Sequence, residues 1–113
     1  VSTKLYFTKT WHNTGNFDER IQTYLRRHMI KIIEVRIIIH CKYRRYKLSE
    51  FRIYLRNPKC LLKRLYTYAG KKRKCYRYKP DILVGKRQFF NIKGLNLKNM
   101  IYTITVVGYK IIN

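Results

Sequence analysis

The stretch Phe17-Asp18-Glu19-Arg20-Ile21-Gln22-Thr23-Tyr24-Leu25-Arg26-Arg27-His28-Met29-Ile30-Lys31-Ile32-Ile33 decides the fold class. Ile21, Tyr24, Leu25, Met29 and Ile32 recur at the three- and four-residue spacing of an amphipathic helix. Asp18 and Glu19 fall in its first turn, where carboxylates favour the positive end of the helix dipole. Arg20, Arg26, Arg27 and Lys31 make the opposite face basic. The spacing predicts a helix over 17–33.

Working outward, residues 4–9 read as a short strand that runs into a polar turn at 11–16. Val35 to Cys41 is β-branched and reads as a mostly buried strand. A basic connection, Lys42 to Leu48, leads to the alternating Phe51, Ile53 and Leu55, a strand with one wet face. Pro58 ends that strand and suits the first turn of a second helix. Its apolar stripe is Cys60, Leu61, Leu62, Leu65 and Tyr66, and Gly70 is its stop. A basic loop over 69–81 follows, then strands near 87–92 and 100–112. The expected order is β-α-β-β-α-loop-β-β, an α+β sandwich in one domain over 1–113. There are no repeats and no Gly-, Ser- or Pro-rich linker.

Charge narrows the function. The 113 residues carry 27 Lys and Arg against 5 Asp and Glu, a net charge of +22. Such an excess repels itself in a compact domain unless a polyanion screens it. Hydrophobic residues make up 46% and aromatics 15%, so the chain is not a disordered basic tail. The scarcity of Ala (only Ala69) beside abundant Ile, Lys, Tyr, Asn and Phe matches A/T-rich codons, a bias common in organellar and some parasite genomes.

Catalysis has little to stand on. Asp18, Glu19 and Glu50 sit at predicted element starts, and Asp81 is expected to pair with a nearby cation. There is no Gly-rich phosphate loop and no nucleophile elbow. Cys41, Cys60 and Cys75 are odd in number and widely spaced, and neither they nor His12, His28 and His40 have metal-ligand spacing. No catalytic residue, metal or cofactor is assigned. Free thiols imply a reducing compartment. The longest apolar run, Ile37-Ile38-Ile39, is far too short to span a bilayer, so no membrane partner is expected. The start, Val1-Ser2-Thr3-Lys4, has no signal-peptide core and no Arg/Ser-rich presequence, which fits a mature or organelle-encoded product.

Two clusters mix cations with tyrosine. Lys71, Lys72, Arg73, Lys74, Arg77 and Lys79 surround Tyr76 and Tyr78 without a carboxylate among them. Lys42, Arg44, Arg45 and Lys47 surround Tyr43 and Tyr46 in the same way. Cations reach phosphates, and Tyr rings can stack on unpaired bases. Tyr43, Tyr46, Tyr76 and Tyr78 are therefore the stacking candidates, while Tyr6, Tyr24, Tyr54, Tyr66 and Tyr102 read as core. No helix-turn-helix, finger or basic-zipper pattern points to DNA. Basic residues spread along the whole chain indicate a protein embedded in folded RNA.

Several stretches resemble small-subunit ribosomal protein three. Lys9-Thr10-Trp11-His12-Asn13-Thr14 is similar to a Lys-Thr-Trp-Asn-Ser-Thr stretch near the start of bacterial members. The family's acidic residue and Gln-Tyr-Leu-like helix are matched by Asp18 to Leu25, and its Val-x-x-Ile-x-Ile strand by Val35 to Ile39. Its next strand, ending in Arg-Pro, is matched by Phe51 to Pro58. Val106 to Ile111 faintly resembles the family's closing strand. The resemblance implies a type II KH-like helix-strand-strand-helix core over 9–68, with the basic loop and additional C-terminal strands over 82–113. The family's Gly-x-x-Gly loop is absent after Pro58, where Lys59 and Lys63 offer charge alone. The chain is also about half the family length. A split gene, with a second polypeptide completing the protein, or a reduced mitochondrial version accounts for that.

The resemblance implies a structural constituent of the small subunit of the mitochondrial ribosome. It implies binding in the head to the 3′ domain of the small-subunit rRNA, beside proteins ten and fourteen. Expected RNA-binding residues are Lys9, Trp11, His12, Arg26, Arg27, Lys42, Arg44, Arg45, Lys47, Lys59, Lys63, Lys71, Lys72, Arg73, Lys74, Arg77 and Lys79. The alternatives are another organellar ribosomal protein of either subunit, or a cationic membrane-active domain.

Overall fold

A computed structural model describes residues 3–22, 28–41, 50–57, 61–69 and 75–112. Among them there is no helix. Nine strands are present: β1 (Thr3–Thr14), β2 (Phe17–Gln22), β3 (Met29–Cys41), β4 (Glu50–Arg56), β5 (Leu61–Ala69), β6 (Cys75–Tyr78), β7 (Ile82–Val84), β8 (Phe89–Leu95) and β9 (Ile101–Ile112). One antiparallel sheet has the order β1-β9-β3-β6, with β7 also paired to β3. The other has the order β2-β8-β4-β5. We call them sheets A and B.

The α+β, KH-like expectation is thus overturned. The predicted helix over 17–33 is two strands, β2 in sheet B and β3 in sheet A. The predicted helix after Pro58 is β5. The polar turn at 11–16 is mostly strand, because β1 runs on to Thr14. The basic loop over 69–81 contains strand β6. Strands expected around Val35 to Cys41, Phe51 to Leu55, 87–92 and 100–112 fall in β3, β4, β8 and β9.

The stripe predicted over 17–33 runs across two elements, with Ile21 in β2 of sheet B and Met29 and Ile32 in β3 of sheet A, and strand bulges add three-residue steps of their own. In β3 the buried positions are Ile30 and Ile32, then Val35, Ile37 and Ile39. The switch from even to odd coincides with a register shift between Ile32 and Glu34 against β9. One extra residue in a strand moves the apolar series from two-residue to three-residue spacing, which imitates a helical step. In β5, Leu65 and Leu62 are skipped in the pairing with β4, at two further register shifts. A β-branched run such as Ile30 to Ile39 also favours strand over helix once it is paired.

Two long segments frame the molecule. Residues 3–14 pair with 101–112 in sheet A, and 17–22 pair with 89–94 in sheet B. They form one antiparallel ribbon that passes between sheets at Gly15-Asn16 and 96–100. Gly15 takes φ +84°, and its N–H donates to the Met100 carbonyl at 3.3 Å. The Leu97 N–H donates to Asn16 Oδ1 at 3.2 Å. Asn96 and Asn99 take the left-handed conformation that asparagine tolerates best among residues with a side chain. This corner sends Leu97 and Met100 inward, both fully buried.

The core lies between the sheets. Sheet A contributes Ile32, Val35, Ile37, Tyr102, Ile104 and Val106, and sheet B contributes Phe17, Phe51, Ile53, Phe90 and Ile92. Each fully buried chain of this size contributes about 1.5–3 kcal/mol. Of the apolar residues on the predicted stripes and strands, Ile21, Ile37, Ile39 and Ile53 are buried, and Leu65 packs against the core half-buried. Leu25 and the Leu62 side chain lie outside the described residues. Tyr102 edges onto both Phe17 and Phe51, at ring distances of 6.2 and 5.2 Å. Its hydroxyl donates to the Gly15 carbonyl and accepts from Asn13 Nδ2 at 2.9 Å. The sheet-to-sheet corner is therefore pinned to the core by one phenol.

Candidate nucleic-acid interface

Strand alternation assigns side chains to the two outer faces. On sheet B, the outward positions of β2, β8 and β4 bring together Asp18, Arg20, Phe89, Asn91, Arg52, Tyr54 and Arg56. The Arg20 guanidinium lies 4.8 Å from the Phe89 ring centre, and that of Arg56 lies 4.3 Å from the Tyr54 ring centre. Arg56 and Phe89 are directly opposed across β4 and β8. Cation and ring thus alternate across three adjacent strands. A guanidinium set over a ring is an arrangement that can serve both phosphate contact and base stacking.

Arg52 completes this face. It pairs with Glu50, and its guanidinium is held above the ordinary arginine range by hydrogen bonding to Glu50 and then to Tyr54. Beneath the cations, Asn91 is buried; its Nδ2 donates to Asp18 Oδ1 at 2.7 Å and to the Glu19 carbonyl at 2.9 Å.

The outer face of sheet A is different in kind. Along the β1–β9 ladder it presents Tyr6 against Tyr109, Thr10 against Thr105 and His12 against Thr103. The two Tyr rings are tilted 5.3 Å apart, with Lys4 Nζ 5.0 Å from the Tyr109 ring centre. His12 Nδ1 and His40 Nε2 reach the Thr103 hydroxyl at 2.9 and 2.7 Å from opposite sides. One hydroxyl carries one proton, so at least one of these imidazoles donates to it. Farther along, Glu34 pairs with Arg36 at 3.5 Å and Arg77 at 3.8 Å, and Lys31 pairs with Asp81 at 3.3 Å. The last pair is the cation expected for Asp81.

Among the expected RNA-binding residues, Lys9 is exposed, with its Nζ 5.3 Å from the Trp11 ring centre. Trp11 is half-buried and edges onto Phe17 at 5.5 Å, so it serves the core as well as the surface. His12 is exposed on the outer face of sheet A. Arg77 and Lys79 are exposed at the β6 edge. Arg26, Arg27, Lys42, Arg44, Arg45, Lys47, Lys59, Lys71, Lys72, Arg73 and Lys74 lie outside the described residues, as does the Lys63 side chain.

The residues that bound the two Tyr/cation clusters are described. Cys41 pairs with Ile101, Glu50 with Leu95 and Ala69, and Cys75 with Ile38. Cys41, Glu50, Ala69 and Cys75 therefore all lie at the sheet ends nearest the Gly15-Asn16 corner. The stacking roles of Tyr76 and Tyr78 need correction: Tyr76 is buried, and the Tyr78 hydroxyl donates to the Leu65 carbonyl at 3.0 Å. Tyr6 is corrected in the other direction, being 62% exposed rather than core. Tyr102 is core as expected, Tyr54 is buried but on the outer face of sheet B against Arg56 rather than in the core, and Tyr24 and the Tyr43, Tyr46 and Tyr66 side chains lie outside the described residues.

Sequence reasoning missed Arg20, Arg52 and Arg56 as interface residues. The signal was present for two of them. If Phe51, Ile53 and Leu55 face the core, then Arg52, Tyr54 and Arg56 share the wet face as cation, ring, cation. Arg20 was hidden by the helical reading of its surroundings. Neither family models nor curated proteins contain a match to this chain.

Proposed function

We propose that this chain is a structural RNA-binding protein, a constituent of a ribosomal particle held against rRNA by its surface charge. One observation carries the reading: the positive excess has almost no internal outlet. Of the 5 carboxylates in the sequence, Glu34, Glu50 and Asp81 are paired to cations within the fold and Asp18 is bonded to Asn91. The remaining Lys and Arg look to an external polyanion, and the ring-stacked arginines of sheet B favour one that offers bases as well as phosphates.

The finer assignment is the head of the mitochondrial small subunit, at the 3′ domain of its rRNA, beside proteins ten and fourteen. It rests on the short stretches that resemble protein three, such as Lys9 to Thr14, and no longer on a shared KH core. Scaffolding is the mechanism proposed. Cations neutralise phosphates where RNA segments converge, and no catalytic step is assigned.

Filter binding of the full chain to small-subunit rRNA fragments tests the reading. Contact with about 6–10 phosphates lowers the affinity by roughly 10³–10⁵ between 50 and 200 mM salt. A slope equivalent to one or two phosphates overturns the polyanion reading. Recovery of the chain in the purified small ribosomal particle, identified by mass spectrometry, tests the finer assignment.

A further inference from the structure

The open side of the molecule, between edge strand β1 of sheet A and edge strand β2 of sheet B, holds a groove of about 380 Å³. Trp11, Asn13, Asn16, Phe17, Asp18 and Glu19 line it. Strand alternation turns Glu19 to the same side as Phe17, towards the groove that also holds the sequence's only tryptophan, while Asp18 borders it from the outer face of sheet B. The wall is preorganised. Asn91, 1% exposed, donates to Asp18 Oδ1 and fixes that carboxylate. Asn13 is held by its bonds to Tyr102 and to the Asn16 carbonyl. Phe17 braces the indole edge. Among the described residues no cation pairs with Glu19.

We infer that this groove takes a single unpaired guanine base from the RNA that the rest of the surface attracts. The inference rests on the RNA-binding reading. The Glu19 carboxylate disfavours a phosphate at its own position, Lys9 beside Trp11 can hold the backbone of an entering strand, and an aromatic wall beside hydrogen-bonding groups is how proteins hold splayed-out bases. An ionised carboxylate only accepts hydrogen bonds. Guanine alone presents two adjacent donors, N1–H and the N2 amino group, on its Watson–Crick edge. Adenine and cytosine set an acceptor beside their amino group, and uracil flanks its N3–H with two carbonyl oxygens. Glu19 accepts from the two guanine donors, Asp18 borders the site and Trp11 supplies the stacking surface. A cationic side chain of a partner protein would also match the carboxylates. It must approach against the charge of the whole chain, whereas a base arrives on a strand which that same charge draws in.

The test uses the full chain and four labelled nonamers, a uridine nonamer and versions with G, A or C at the central position. Binding is followed by anisotropy and by Trp11 emission, which reports this groove alone. The G-containing strand is expected to bind about tenfold tighter than the others, the size of one bidentate base contact, and to quench Trp11. Glu19→Gln, an exposed change that leaves the core untouched, should erase the preference while leaving the uridine nonamer bound at least as tightly. Equal affinity for all four strands, or saturation without quenching, overturns the inference while the RNA-binding reading stands. A short arginine peptide that alters Trp11 emission when the G-containing strand does not also overturns it. If no strand binds in a salt-dependent way, the RNA-binding reading itself has failed.

Discussion

Sheets A and B share one core but meet the surroundings with different chemistry. Sheet B turns outward a cation-on-ring surface, Arg20 on Phe89 and Arg56 on Tyr54, with Arg52 held between Glu50 and Tyr54. Sheet A turns outward hydroxyls and imidazoles, and its Lys31, Arg36 and Arg77 are tied to Asp81 and Glu34. Cations with internal partners are solvated and neutralised already, so displacing counterions from them gains little. A positive chain can thus be uneven in what it offers RNA, and the stacked arginines of sheet B are the better platform.

The interiors differ as well, and the sharpest break between the sheets should come from a methyl group. In β9 of sheet A, a Cβ at Gly108 would run into the Lys31 carbonyl oxygen, beside the Ile32/Glu34 bulge, and onto the Phe7 ring. In β8 of sheet B, a Cβ at Gly94 would meet mainly the Leu97 Cδ1 methyl, the end of a side chain that can turn. Gly108→Ala is expected to cost about 3 kcal/mol or more, and Gly94→Ala about 1–2 kcal/mol, because overpacking is worst where backbone must move. Urea melts of the two variants check the order, and equal midpoints would contradict the rigid role given to the bulge.

Binding should separate the outer faces next. Changing Arg20 and Arg56, the two arginines set over rings, together to Gln is expected to weaken rRNA binding on the order of 30-fold at low salt and to lower the salt slope by about two. The matched pair on sheet A, Lys31 and Arg36 to Gln, removes the same charge and should cost under about threefold, because Asp81 and Glu34 already pair these cations. Equal losses would mean that net charge alone matters and that the stacked geometry of sheet B adds nothing.

Alkaline pH probes the phenol that joins the two sheets. Burial raises the Tyr102 pKa above its ordinary value of 10.0, against a smaller lowering by the Asn13 hydrogen bond. A raised folded-state pKa means stability that is complete below pH 10 and lost as pH climbs through the folded value. Tyr102→Phe should lose that alkaline dependence. It should also be about 1–2 kcal/mol less stable at neutral pH, since the Gly15 carbonyl and Asn13 lose a partner. Melting temperatures of both proteins from pH 8 to 11.5 test this, and parallel curves would remove Tyr102 as the titrating group.

The smallest effect should be the cation–ring contact itself. Arg20→Gln leaves Phe89 in place and is expected to cost about 0.5–1 kcal/mol of stability. A neutral result in thermal melts would show that the ring is held by the core alone.

Much of the molecule was legible from residue types. The +22 charge and the strands containing Phe51 to Leu55 and Met100 to Val107 follow from composition and two-residue alternation. Burial of Ile37, Ile39 and Ile53 follows in the same way, because a side chain's hydrophobicity travels with it into any fold. The helices did not survive: the stripe over 17–33 joins strands of two different sheets, and bulges at three places imitate helical steps. At Ile32/Glu34, Leu62 and Leu65 an extra residue shifts the apolar phase, and a shifted strand cannot be told from a helical turn by spacing. Only pairing with β9 and β4 settles it, since those backbone hydrogen bonds come from residues far away in the chain. The same holds for the groove. Trp11 and Glu19 are eight positions apart in either reading, but only the passage from sheet A to sheet B at Gly15-Asn16 sets an indole beside a carboxylate on the open side of the molecule.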